Sequence, residues 1–248
     1  LNVYASYSTG FKSGGFQYVP FSKAQADTLF DPEDIKAYEV GLKSEWLDRR
    51  VRFNAAAFRY DYKDLQVSRI VLVGAAPISV ITNAAASKIT GLDLELNAKA
   101  TDWLELNLGY GYLNAKYKNY IFNATQDFSD TRMVRAPKHT INAGAEIHFP
   151  VADGNVLLGA DYSYLSKFFH EPGEGNVIYG PGVPLTVEKG YGLLNLRASY
   201  ERGPLRFTVY GTNVTDENYR RTVNALGSSI VGFAGQPRIV GVKLGFTY

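Results

Sequence analysis

The chain has 248 residues, with 26 Lys+Arg against 24 Asp+Glu for a net charge of +2, no Cys, and 14% aromatic residues. At 46% apolar and 20% charged it falls outside the disordered and collagen-like classes, and its near-neutral balance gives no basic footprint for nucleic acid. The best apolar run, residues 70–81, is interrupted by Gly74, Pro77 and Ser79, so no membrane-spanning helix is predicted; without Cys there are no disulfides and no thiolate nucleophiles or metal ligands.

Residue 1 is Leu inside a segment that already alternates, with no initiator Met and no charged-then-apolar leader, so the sequence is expected to begin within a longer one. From there apolar residues recur at every second position, in segments longer than the roughly 5–6 residues of an ordinary strand. The first strand is predicted near residues 1–9. A second, near 34–46, sets Tyr38, Val40 and Leu42 against Glu39, Gly41 and Lys43. The third, near 51–66, starts with Val51, Phe53, Ala55 and Ala57 and then changes parity to Phe58, Tyr60 and Tyr62, which predicts a bulge near Ala57 or a change of environment at the rim. In the fourth, near 81–100, Leu92, Leu94 and Leu96 oppose Asp93, Glu95 and Lys99. Leu106, Leu108 and Tyr110 oppose Glu105, Asn107 and Gly109 in the fifth, near 103–118. The sixth, near 137–149, pits Ile141, Ala143 and Ala145 against Asn142, Gly144 and Glu146. A seventh follows near 155–167, and the eighth, near 189–200, places Leu194 and Leu196 against Asn195 and Arg197. The ninth lies near 204–213, and the tenth, near 237–248, alternates Val240, Val242, Leu244 and Phe246 with Gly241, Lys243 and Gly245.

Connections between these strands alternate strictly in length. Short turns fall around Leu47–Arg50, Thr101–Asp102, Pro150–Gly154 and Glu201–Gly203; long ones fall near 10–33, 67–80, 119–136, 168–188 and 214–236. A soluble sandwich or lipocalin-like barrel would also alternate but has no reason to sort its loops by end, whereas outer-membrane barrels pair short periplasmic turns with long extracellular loops. Aromatics agree with an interface belt: Trp46, Trp103, Phe149, Tyr200 and Tyr248 flank the short turns or the C-terminus, and Tyr60, Tyr62, Tyr112, Tyr117, Tyr162 and Tyr164 lie toward the long loops. The expected fold is therefore all-β, an antiparallel transmembrane β-barrel with about ten strands present, in a bacterial outer membrane. Its last strand, ending on an aromatic residue, resembles the C-terminal signature by which such barrels are recognised for assembly, which puts both ends of the chain on the periplasmic side.

Several segments occur in the order usual for one family. These are Tyr4-Ala5-Ser6-Tyr7-Ser8-Thr9-Gly10-Phe11-Lys12-Ser13-Gly14-Gly15-Phe16; Glu39-Val40-Gly41-Leu42-Lys43; Asp61-Tyr62-Lys63-Asp64-Leu65-Gln66; Asn83 followed by Ile89-Thr90-Gly91-Leu92-Asp93-Leu94-Glu95; Arg135-Ala136-Pro137-Lys138-His139; and the closing pair Asn213-Val214-Thr215-Asp216-Glu217-Asn218-Tyr219 and Gly235-Gln236-Pro237-Arg238. Together they resemble the TonB-dependent outer-membrane receptors, although Asp93 stands where Glu is commoner. The resemblance implies that residues 1–248 are the C-terminal portion of a 22-stranded barrel, with the plug domain, the TonB box and the N-terminal strands outside this segment. It further implies capture of a scarce bulky nutrient at the cell surface, most often a ferric siderophore, and import energised by the TonB–ExbB–ExbD complex through that N-terminal region. Outer-membrane lipid and a small-molecule metal chelate are the implied partners, with no nucleic acid. The competing readings are an enzyme of protease or lipase type on a self-contained ten-stranded barrel, and a passive porin.

For chemistry the sequence offers little. His139, His148 and His170 are scattered, and no metal site, cofactor site or catalytic group is predicted from their spacing. The charged residues Glu39, Lys43, Asp93, Glu95, Lys99 and Arg197 share the polar parity and are read as a salt-bridged lumen wall that also meets the plug. Aromatic faces and guanidinium groups suit a bulky anionic chelate, so the candidate substrate contacts are Phe168, Phe169 and His170 in one long loop and Tyr219, Arg220 and Arg221 in the last.

Overall fold

In the computed structural model the described residues are 1–17, 23, 29–73, 76–123, 126–175, 186–226 and 229–247. Ten long strands form one antiparallel sheet in which each strand pairs with the next in sequence. They are β1 (Asn2–Lys12), β2 (Glu33–Trp46), β3 (Val51–Val73), β4 (Ala76–Lys99), β5 (Leu104–Asn119), β6 (His139–Val151), β7 (Gly154–Leu165), β8 (Tyr191–Arg202), β9 (Leu205–Thr212) and β10 (Ile239–Phe246). β1 and β10 occupy its two ends.

The period-two pattern sets the register. Because cross-strand partners share a face, the row Trp46, Val51, Ala98, Leu106, Ala145, Ala160 and Leu196 forms one outer band. On the opposite face, Lys43 lies across from Asn54 and Asn54 from Glu95, in an equally continuous polar row. At the outer position Ser44 the hydroxyl is satisfied locally, as hydrocarbon demands, by donating to the Phe53 carbonyl at 2.7 Å.

Several expectations change. Ala57 carries no bulge, because it pairs in unbroken register with Val40 on one side and Leu92 on the other. The parity change at Phe58 is a change in the inner wall itself: Phe58 lies opposite Glu39, and Tyr60 and Tyr62 follow on the same face. Tyr60 and Tyr62 therefore leave the proposed upper girdle, as does Tyr117, which is only 2% exposed and packs with Tyr120 and Phe128. The connection expected at 67–80 is instead mostly strand, since β3 and β4 continue as a ribbon as far as Val73 and Ala76, through the β-branched run that begins at Ile70.

Short turns rely on left-handed backbone. Leu47, Asp48 and Arg49 have φ of 53°, 54° and 68°, and Ala152 has 51°. The other four long connections each fold a small hairpin of their own: Gly15–Phe16 with Leu29–Phe30, Ile121–Asn123 with Gln126–Asp127, Phe168–Phe169 with Val187–Glu188, and Arg220–Leu226 with Ser229–Ala234. Most of the apolar side chains that are nearly inaccessible to solvent lie in this loop layer, not on the sheet.

Candidate functional site

The polar face of the sheet is a wall of short-range partners. The Tyr4 hydroxyl donates to Glu39 at 2.7 Å, and the Lys43 ammonium lies 5.6 Å from the centre of the Tyr4 ring. Glu95 accepts from the amides of Asn54 at 3.1 Å and Asn97 at 2.8 Å. Arg197 bridges Glu146 and Asp161, while Glu146 also lies 2.9 Å from His148 Nε2. Asp93 faces Gly111, and Lys99 lies opposite Glu105. All of these groups are partly open to solvent, so the network orients side chains more than it adds stability.

Above the sheet, the two closing motifs grip each other. Asn213, 4% exposed and at φ 48°, donates from Nδ2 to the carbonyls of Glu217 (2.9 Å) and Gln236 (3.0 Å), and its Oδ1 accepts from the Glu217 amide at 2.8 Å. Its own amide donates to Asn195 Oδ1 at 2.9 Å, which anchors the knot to β8. Asp216 accepts from the Arg238 amide at 3.2 Å. The Tyr219 ring lies against Gly235 so closely that a Cβ there would fall 2.2 Å from it. Tyr191 stacks with the same ring at 4.5 Å and a 23° tilt. A second knot fastens the opposite flank: Asn83 donates from Nδ2 to the carbonyls of Asp31 and Asp64, and the side chain of Gln17 both donates to and accepts from the backbone of Ile81.

The predicted contact residues separate into two environments. Phe168 and Phe169 are 7% and 2% exposed, and the His170 side chain is fully covered. Phe169 carries the Arg132 guanidinium over its ring at 4.5 Å, and its carbonyl accepts from the Arg135 amide at 2.8 Å. His170 lies edge-on to Phe168 at 5.1 Å, and its Nε2 is 3.6 Å from Glu188 Oε2, beyond hydrogen-bond reach. Burial pushes the His170 pKa below its usual 6.5 despite the neighbouring Glu188. Arg220 donates from Nε to Glu188 at 2.8 Å and from Nη2 to the Val187 carbonyl at 2.6 Å, and thereby ties two loops together.

Tyr219 and Arg220 border an open cleft of about 660 Å³, together with Glu188, Tyr191 and Gln236. Arg221 is exposed on the same hairpin. Glu188 and Tyr191 were not singled out by sequence. The signal for Tyr191 was its parity with Asn195 and Arg197, which makes it the inward aromatic at the top of β8; nothing local marked Glu188. Among the described residues no cluster of three or more His, Asp or Glu could hold a metal ion.

Residues 1–214 match the family described as TonB dependent receptor-like, beta-barrel. The chain belongs to the TonB-dependent receptor family. Barrels of this family reside in the bacterial outer membrane. Among curated relatives, the receptor is 25% identical to the metal-pseudopaline receptor CntO of Pseudomonas aeruginosa over 100% of its own length and 32% of that protein. It is 26% identical to the ferric-pyoverdine M114 receptor PbuA of Pseudomonas sp. over 99% of its own length and 28% of PbuA. The solved ferric yersiniabactin uptake receptor FyuA of Yersinia pestis superposes with a TM-score of 0.79 at 19% identity, covering 98% of this chain and 34% of that one. The chain thus spans about a third of the length of these relatives. With the membrane placed, Trp46 (55% exposed), Trp103 (50%) and Phe149 (38%) stand beside the short turns, and the Tyr200 hydroxyl points to the Val151 carbonyl at 3.4 Å. Tyr248 lies outside the described residues.

Proposed function

We propose that residues 1–248 are the C-terminal portion of the barrel of a receptor that captures a ferric siderophore at the cell surface and imports it with TonB-coupled energy. The observation that carries this reading is the rim cleft, where stacked Tyr191 and Tyr219 adjoin Arg220 at the inward-facing top of β8. Flat π faces and a guanidinium match a bulky anionic chelate, whose charge Arg221 also meets. Phe168, Phe169 and His170 act beneath as the packed bed that fixes Glu188 and hence Arg220. Binding energy and rearrangement of a plug, with TonB–ExbB–ExbD supplying the pull, replace covalent chemistry. The relatives named for ferric-pyoverdine and metal-pseudopaline favour the same ligand class. Titrating the full receptor with hydroxamate, catecholate and mixed-ligand ferric siderophores, followed by uptake of labelled iron in cells with and without TonB, tests it. One class should bind and enter only with TonB. Failure of every ferric chelate to bind would refute the proposal.

A further inference from the structure

Beneath the rim cleft lies a titratable group that ligand capture leaves unused. The His170 side chain is fully covered, yet neither ring nitrogen has a hydrogen-bond partner among the described residues. Its backbone is fixed by donation of the amide to the Thr186 carbonyl at 2.8 Å, and its ring stands edge-on to Phe168. For packing alone an apolar side chain would serve as well, because a covered imidazole without a bond carries a desolvation cost. What the ring faces is Glu188. Its Nε2 stands 3.6 Å from Glu188 Oε2, and that same oxygen accepts from Arg220 Nε at 2.8 Å. One buried carboxylate thus lies between two side chains able to carry positive charge, and Arg220 alone holds it while His170 is neutral.

The surrounding charges decide when the ring becomes charged. Arg220 from the last loop and Arg135 from the entry to β6 oppose protonation, as does burial, whereas Glu188 favours it; burial dominates, so the ring is neutral at pH 7 and gains its proton in acid. Other charged groups of the loop layer are engaged elsewhere. Arg132 and Lys167 lie over the Phe169 ring at 4.5 and 5.3 Å, Glu174 pairs with Arg132 at 3.7 Å, and Glu171 is within electrostatic range of Tyr117. A charged ring therefore turns to Glu188, and reaching a charge-assisted separation near 2.8 Å takes a shift of only about 0.8 Å. Arg220 keeps its place, since its Nη2 also donates to the Val187 carbonyl at 2.6 Å, but its charge is no longer cancelled from beneath. With 31% of its side chain exposed beside Tyr219, that charge meets the cleft.

We propose that His170 is a positioning residue that strengthens capture of an anionic chelate in acid: on taking a proton from solvent it takes over the Glu188 carboxylate and leaves the Arg220 guanidinium to the ligand. This rests on the rim cleft being the capture site. The test uses the full receptor in outer-membrane vesicles. Its probes are chromium(III) complexes of catecholate, hydroxamate and mixed-ligand siderophores, whose slow ligand exchange keeps them whole in acid. Dissociation constants are measured at pH 7 and pH 5, and each variant is compared with wild type at the same pH, which cancels titration of the probe itself. A charge-assisted bond gained at a partly open rim is worth about tenfold, so wild type should gain about tenfold over His170→Gln for the trianionic tris-catecholate on going from pH 7 to 5. In Glu188→Gln nothing cancels Arg220, so this variant should bind the trianion about tenfold more tightly than wild type at pH 7 and lose the acid response, whereas a purely structural carboxylate would bind worse when removed. For an uncharged hydroxamate complex the ratio should move less than about twofold, because no anion meets the freed charge. A wild-type to His170→Gln ratio for the trianion that stays constant from pH 7 to 5, or weaker trianion binding by Glu188→Gln at pH 7, would overturn this role and leave the capture site standing. Binding of no chelate at either pH would overturn both.

Discussion

Replacing Asn213 with Gly tests the reading that the two closing motifs form one clamp. Gly accepts the φ of 48° without strain, so the substitution removes only side-chain hydrogen bonds: two donated to the Glu217 and Gln236 carbonyls and one accepted from the Glu217 amide. At about 1 kcal/mol each, their loss weakens the clamp by about 3 kcal/mol, or roughly 150-fold in its opening equilibrium. Asn213→Ala adds about 1 kcal/mol for placing a Cβ in left-handed backbone. Native-state amide exchange resolved at Glu217 and at residues 234–238 reads this directly, and both regions should lose protection together. A change under about threefold in Asn213→Gly, or lost protection at Glu217 alone, would refute the clamp.

Three further outcomes follow from the same geometry. Gly235→Ala drives a Cβ into the Tyr219 ring, so proteolysis of the last loop should accelerate strongly, whereas in a Tyr219→Ala background the same change should have little effect. Because burial holds the His170 pKa below its unfolded value near 6.5, with Glu188, Arg220 and Arg135 around it, the stability it contributes is full above that pH and declines as pH falls below it. Protection factors across residues 168–175, taken relative to the intrinsic exchange rate at each pH, should therefore fall from pH 7 to 5, and His170→Leu should flatten the profile; protection that falls instead as pH rises above 7 would contradict the burial argument. Arg197→Met leaves Glu146 and Asp161 without their shared cation, yet at 37% side-chain exposure it should lower stability by no more than about 1 kcal/mol, seen as a small melting shift that shrinks further in salt.

The motifs quoted from sequence proved to be contact partners for a reason sequence cannot display. The Asn213 and Gly235 segments read as separate turn-like strings, yet Asn213 bridges them and Tyr219 fills the space that Gly235 leaves open. Likewise Arg135 looked like the start of a strand but reaches Thr222, 87 positions away, at 3.4 Å. Phe168 and Phe169 read as candidate substrate contacts because they sit in a long Gly- and Pro-rich loop, yet they are 7% and 2% exposed.

Sequence alone determined what is local and periodic in this protein: ten strands, their two faces, the four tight turns, and the polar wall of Glu39, Glu95 and Arg197. Period-two alternation encodes a face at each residue, and with one face meeting lipid a slipped register would turn every side chain to the wrong side. Tertiary structure alone decided how far β3 and β4 extend as a ribbon, that Tyr117 turns inward, how the loop hairpins lock through Asn213, Glu188 and Arg220, and that Lys88 meets Lys116. Those outcomes depend on side chains brought together from distant positions, where no repeating pattern along the chain records which residue will cover which.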